Sequence, residues 1–222
     1  MMTNHHNQLP LLSKDVSSII NSSLNVHKIL DVTEVEGPGK RFCIWVQGCS
    51  VRCKGCAVPW TWNPAHGTKM NVSSLIERVK QSIQVNGITG ITILGGEPFD
   101  QADALRPFLE TVKKLNLNVL SFSGYYYEQL LQRGVDPEIF DYIDLLIEGP
   151  FEQQHLDLSR PWVGSSNQKY RFLSDLWDES ILLKYTNKVE VRVNADGTID
   201  INGMIDAESL LELQKQIQAF KK

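Results

Sequence analysis

The sequence predicts an α/β fold in which parallel strands, open or barrel-like, alternate with helices and lead into a C-terminal β-hairpin and helix. Three observations predict it. Between residues 40 and 147 short apolar runs alternate with amphipathic stretches, and such alternation implies right-handed crossovers between parallel strands. Two Gly-rich segments with chemical potential fall at strand carboxyl ends, where folds of this class place active sites. Near the end of the chain the alternation gives way to a hairpin turn signal and one amphipathic helix.

Residues 1–25 are rich in Asn, Ser and His and hold no Phe, Tyr or Trp. They read as a flexible N-terminal extension, and the core is expected over 26–185. Gly37-Pro38-Gly39 is a turn. In Lys40–Gln47, Phe42, Ile44 and Val46 alternate with Cys43 and Trp45, the pattern of a strand buried on at least one side. A loop from Gly48 to about Gly67 follows. Asn71 is placed to cap a helix with Leu75, Ile76, Val79 and Ile83 on one face.

Ile88–Leu94 is a short apolar strand running into Gly95-Gly96-Glu97-Pro98. The next helix presents Leu105, Phe108, Leu109, Val112 and Leu115, with Pro107 inside it implying a kink or a later start. Asn118–Phe122 is a strand, Tyr125–Arg133 a short helix and Tyr142–Ile147 another strand. Residues 186–222 form the extension. In it Val189–Asn194 and Thr198–Asn202 flank the turn Ala195-Asp196-Gly197, and Asp206 caps a helix bearing Leu210, Leu213, Ile217 and Phe220. Asp206 and Glu208 at its start and Lys221 and Lys222 at its end suit the helix dipole.

Composition narrows the class. A chain of 222 residues, 42% hydrophobic and 22% charged, is long enough for one sizeable core. A net charge of −4 gives no footing for phosphate-driven nucleic-acid binding. No apolar run approaches the roughly 18–20 residues that span a bilayer, and the start lacks the pattern of a secretion signal. All four cysteines lie between Cys43 and Cys56. Disulfide frameworks spread their cysteines, so reduced thiols in a cytoplasmic protein are expected.

Cys49, Cys53 and Cys56 are separated by three residues and then two. Three thiolates can hold three irons of a [4Fe–4S] cube and leave the fourth free to bind a small molecule. The alternatives are a zinc site with His66 as fourth ligand, or ordinary thiols. Zinc sites usually pair two separated ligand clusters, and the chain has no second Cys/His pair at such ligand spacing. Cys43, inside a strand and outside the spacing, reads as a core thiol.

With these residues the chain resembles the radical S-adenosylmethionine (SAM) superfamily, and within it the activating proteins of anaerobic ribonucleotide reductases. The resemblance is carried by Gly37-Pro38-Gly39 with Arg41, Gln47-Gly48 before the triplet and Trp62 after it. Further on it takes in Gly95-Gly96-Glu97-Pro98, Ser123-Gly124-Tyr125, Glu148-Gly149-Pro150-Phe151 and Trp162–Gln168, in family order over about residues 26–173. It implies a radical SAM core, a partial, open (β/α) barrel, with a [4Fe–4S] cluster on Cys49, Cys53 and Cys56. The cluster would cleave SAM reductively to a 5′-deoxyadenosyl radical.

In such proteins the segment matching Gly95, Gly96, Glu97 and Pro98 binds the SAM amino group; here two glycines allow close backbone approach and Glu97 can face an ammonium. The competing reading of that segment is a tight strand-to-helix turn. Ser123 and Glu148 are candidates for methionine or ribose contacts, against solvated loop positions. Gly164-Ser165-Ser166-Asn167-Gln168 either binds SAM or a partner, or forms side-chain turns. Arg160 reads as a surface arginine, and His66 is not favoured as base or ligand.

The resemblance implies a glycyl-radical enzyme as protein substrate and a flavodoxin or ferredoxin as electron donor. The rival functions are radical SAM modification of a peptide or small metabolite, and a non-enzymatic cluster or zinc module. Departures from the family are Val58 where Asn is common, Pro150 where the nearest relatives carry Lys, and the extension past the family core.

Overall fold

The computed structural model describes residues 22–220; residues 1–21, Lys221 and Lys222 lie outside them. The expectations for the N-terminal extension up to residue 21, for the Phe220 side chain and for the terminal lysine pair therefore fall outside the described residues. Strand β1 begins at Ser23, inside the span read as extension.

The elements in order are β1 (Ser23–Thr33), β2 (Arg41–Val46), β3 (Thr68–Asn71), α1 (Val72–Asn86), β4 (Gly90–Gly95), α2 (Ala102–Lys114), β5 (Asn118–Ser123), α3 (Tyr127–Gln132), β6 (Leu145–Glu148), β7 (Lys169–Phe172), β8 (Val189–Val193), β9 (Ile199–Gly203) and α4 (Ala207–Phe220). Among the described residues one sheet runs β3-β1-β2-β4-β5-β6-β7, and β8 and β9 form a separate hairpin. Strands β2, β4, β5 and β6 are parallel neighbours.

The sheet is mixed rather than wholly parallel. β1 runs antiparallel to β2 because the chain reverses through the Gly37–Gly39 turn, too short for a crossover. The short strands β3 and β7 are also antiparallel to their neighbours. The protein is thus mixed α/β with a parallel-rich central sheet.

The alternation in β2 sorts its two faces. Phe42, Ile44 and Val46 join Ile91, Ile93 and Val119 beneath the helices, where α1 contributes Val72, Leu75, Ile76 and Val79 and α2 contributes Leu105, Phe108, Leu109 and Val112. Cys43 and Trp45 face the other way and pack with Leu30 and Leu94. Both faces are covered, so every residue of β2 is buried. Further along that second face Leu120, Leu145 and Ile147 meet Trp162 and Val163.

Asn71 occupies the N-cap of α1 but makes no side-chain cap bond. Helix α2 starts at Ala102 and runs through Pro107, so the expected later start is not found.

Arg41 closes the amino end of the sheet. Its guanidinium is wholly buried and donates to Thr92 Oγ1 at 2.6 Å, Pro38 O at 2.9 Å, Asn118 Oδ1 at 2.5 Å and Ile91 O. Burial lowers its pKa to about 10, which leaves it charged at neutral pH. A Cβ on Gly37 would lie 2.7 Å from Arg41 Cδ, at a backbone φ of +139°. Only glycine fits the turn over this arginine.

The β8–β9 hairpin docks on β1 through its polar face. Thr33 Oγ1 donates to Glu190 at 2.7 Å, Lys28 pairs with Asp200 at 2.8 Å, and the Gly203 N–H donates to Glu36 at 2.9 Å. Val191 and Val193 on the opposite face stay exposed. No described side chain of α4 is buried.

Candidate functional site

The cysteine loop leaves the carboxyl end of β2 and is fastened to its own return path. Gly48 N–H donates to Thr61 O at 2.7 Å and Cys49 N–H to Trp62 O at 3.2 Å. Gln47, almost fully buried, sends both amide hydrogens into the same return segment, to Trp60 O and Asn63 O. The loop is also tied to the adjacent strand end. Glu97 N–H donates to Gly48 O at 2.8 Å, and Gly96 N–H to Val46 O at 2.9 Å. A Cβ on Gly96 would stand 2.0 Å from Gly48 O, so this contact requires glycine.

Asp100 completes the attachment, accepting from Ser50 N–H at 2.7 Å and Ser50 Oγ at 2.6 Å. Ser50 Oγ lies 2.8 Å from Tyr125 Oη, and the Arg133 guanidinium sits 4.2 Å from the Tyr125 ring centre.

All three loop cysteines are free and half-buried, whereas Cys43 is fully buried. Backbone N–H groups face each loop sulfur: Val51 and Arg52 toward Cys49, Phe151 toward Cys53, and Val58 toward Cys56 at 3.4 Å. Burial pushes the Cys49 and Cys53 thiols up. Thiols so placed are held as thiolates by a bound cation, with the amides stabilising the charged sulfurs. This donor set fits an iron–sulfur cluster.

Two buried polar atoms beside the loop, Trp62 Nε1 and Gln47 Oε1, have no partner among the described residues. Among the described residues no three His, Cys, Asp or Glu side chains converge as ligands of a single ion. The ligands of a cube bind different irons and need not converge. His66 is exposed, with Nε2 3.1 Å from Asn63 Nδ2.

Glu97 is wholly buried. Its carboxylate accepts from Phe99 N–H at 3.0 Å, Ser123 Oγ at 3.1 Å and Gly124 N–H at 2.8 Å. Burial raises its pKa to about 7 against the lowering effect of these donors. The structure therefore brings Glu97 and Ser123 together as a brace between two strand ends and turns the carboxylate inward. Pro98 begins the buried turn that follows.

Glu148 is buried apart from them, accepting from Tyr127 N–H at 2.7 Å and from Arg171 at 3.1 Å. The Gly164–Gln168 segment forms side-chain turns: Gln168 Oε1 accepts from Gly164 and Ser165 N–H, and Asn167 Nδ2 donates to Pro150 O. Arg160 holds the same segment through Ser165 O and Gln168 O. Sequence reasoning missed Asp100 and Arg133. Neither has a spacing signal: Asp100 holds Ser50 from 50 positions away, and Arg133 reaches Asp100 from 33.

Residues 35–171 match the family model described as a 4Fe-4S single cluster domain. The chain is similar to the anaerobic ribonucleoside-triphosphate reductase-activating protein of Pasteurella multocida, with 32% identity over 62% of this chain and 91% of that one. It is 31% identical to the pyruvate formate-lyase-activating enzyme of Listeria monocytogenes, over 55% of this chain and 48% of that one. Among solved structures QueE from Escherichia coli aligns with a TM-score of 0.44 and 16% identity, over 51% of this chain and 58% of that one.

Proposed function

The chain belongs to the 4Fe-4S single cluster domain family, and from that premise we propose that it is a radical SAM enzyme that activates a glycyl-radical enzyme by taking a hydrogen atom from a glycine. The observation that carries the reading is the joining of two strand ends. The loop bearing three free thiols is fixed by Glu97 N–H and Asp100 to the Gly-Gly-Glu-Pro segment of the neighbouring parallel strand. The reading is supported by relatives named as activating proteins of an anaerobic reductase and of pyruvate formate-lyase.

In this reading Cys49, Cys53 and Cys56 hold the cluster. When bound, the cluster and SAM supply a 5′-deoxyadenosyl radical. The protein's residues hold, orient and shield. Gly95 and Gly96 let this strand end close against the backbone of β2 and of Gly48, and in this reading the SAM amino group is received at this strand end. Glu97, Ser123 and Pro98 keep that backbone in place from behind, with no contact to the ligand required of the carboxylate. Glu148, clamped by Arg171, fixes the end of β6 beside it.

The four parallel strands form, in this reading, a partial, open (β/α) barrel over 26–185, with residues 186–222 as an added extension. The open carboxyl end admits a loop of the partner enzyme. Arg52 and Lys54, exposed on the cysteine loop of a net acidic chain, offer an acidic flavodoxin or ferredoxin a place to dock. No helix among the described residues is long and apolar enough to cross a membrane, and the four free thiols suit the reducing cytoplasm.

The test is anaerobic reconstitution followed by dithionite and SAM. Release of 5′-deoxyadenosine by a chain with four irons is expected. An intact cluster that leaves SAM uncleaved contradicts the proposal.

A further inference from the structure

We propose that the indole Nε1–H of Trp62 donates a hydrogen bond to a sulfide of the cluster held at the cysteine loop, and so sets the cluster's reduction potential. The inference rests on the cluster reading above. Trp62 sits directly beside the first cysteine of the triplet. The consecutive bonds Gly48 N–H to Thr61 O and Cys49 N–H to Trp62 O lay the two backbones side by side, and Trp62 N–H is itself fixed on Pro59 O at 3.2 Å. The residue belongs to none of the three apolar clusters of the core. It is not a core filler.

Its Nε1–H is nevertheless shut off from solvent and meets no acceptor among the described residues. A buried donor left unmet costs about 1–3 kcal/mol, and native structures rarely tolerate one unless a ligand, ion or water completes it. The other donors around the loop already point at sulfur: Val51 and Arg52 N–H at Cys49, Phe151 N–H at Cys53, Val58 N–H at Cys56. An indole N–H is donor only, so its partner must be an acceptor, and a cluster brings several sulfur acceptors to this loop. The one orphaned acceptor nearby in sequence, Gln47 Oε1, is not within bonding reach of it.

Hydrogen bonds to cluster sulfur favour the reduced, more negative state and raise the potential. Loss of the indole N–H is therefore expected to make the cluster harder to reduce without releasing iron. Trp62→Phe keeps an aromatic ring and removes the donor. Replacement of Trp62 by its benzothiophene analogue keeps the full bicyclic shape and removes only the N–H, which covers the case in which Trp62→Phe disturbs the loop.

Both are compared with wild type by iron content, midpoint potential, and hyperfine coupling of exchangeable protons to the reduced cluster in H2O and D2O. The expected result is unchanged iron, a more negative potential and loss of one exchangeable-proton coupling in both variants. Equal potentials and identical couplings with an intact cluster overturn the role of Trp62 alone. Those values would place its partner elsewhere, as would a Gln47→Leu variant that shifts the indole N–H resonance. A wild-type chain that assembles no four-iron cluster overturns this proposal together with the reading beneath it.

Discussion

The carboxylate of Glu97 accepts the backbone N–H of Gly124 at 2.8 Å, joining the carboxyl ends of two neighbouring parallel strands. The sequence reading turns this glutamate toward a ligand; in the structure its carboxylate accepts from Phe99, Ser123 and Gly124. Three donors converge on it, and each left unmet in a buried site costs about 1–3 kcal/mol. Glu97→Ala is accordingly expected to lower stability by about 3 kcal/mol or more and to weaken iron loading, although no cysteine changes. Urea denaturation and iron analysis check this. Unaltered stability with weakened SAM binding alone would show that the carboxylate serves the ligand instead.

The cysteines divide by burial and by what faces them. Cys49, Cys53 and Cys56 lie half-buried with amide donors toward sulfur, while Cys43 packs against Leu30 and Trp45 with no open side. Changing any of the first three to Ala is expected to abolish four-iron assembly. Cys43→Ala is expected to keep it and cost about 1 kcal/mol of packing. Iron and sulfide determination after anaerobic reconstitution separates the two groups. Equal loss of iron at Cys43 would place it among the ligands.

Glu36 ties the C-terminal hairpin to the sheet through Gly203 and is held at a pKa of about 7, raised from 4.5 chiefly by burial and further by Glu190, with Lys28 opposing. Cys43 also lies close enough to feel its charge. Because the folded-state pKa exceeds the unfolded one, the folded protein binds the proton more tightly between these values. Stability therefore falls as pH rises from about 4.5 to about 7. Glu36→Gln removes this group's share of the slope, up to about 3 kcal/mol across the window. Denaturation at several pH values measures it, and parallel profiles for variant and wild type would deny the assignment.

Much of this was legible because it is local. Strands β2 and β4 announce themselves by apolar alternation and short apolar runs, α1 and α2 by their faces, and the thiols by spacing. The strands β3 and β7 were not legible: TKMN and KYRF are only four residues long and owe their form to the neighbour each pairs with. The inward turn of Glu97 was hidden for a related reason. Its partners Ser123 and Gly124 lie 26 and 27 positions along the chain, brought near only when β4 and β5 pair. Asp100 and Ser50 are 50 positions apart, and nothing in either neighbourhood names the other.

Electron paramagnetic resonance of a partner enzyme tests the central claim most directly. The reconstituted, reduced protein is incubated anaerobically with SAM and an anaerobic ribonucleoside-triphosphate reductase from the same organism. The expected result is a glycyl-radical doublet on the reductase, with equimolar 5′-deoxyadenosine, that disappears when Cys49, Cys53 or Cys56 is replaced. Cleavage of SAM with no radical on the reductase would contradict the account.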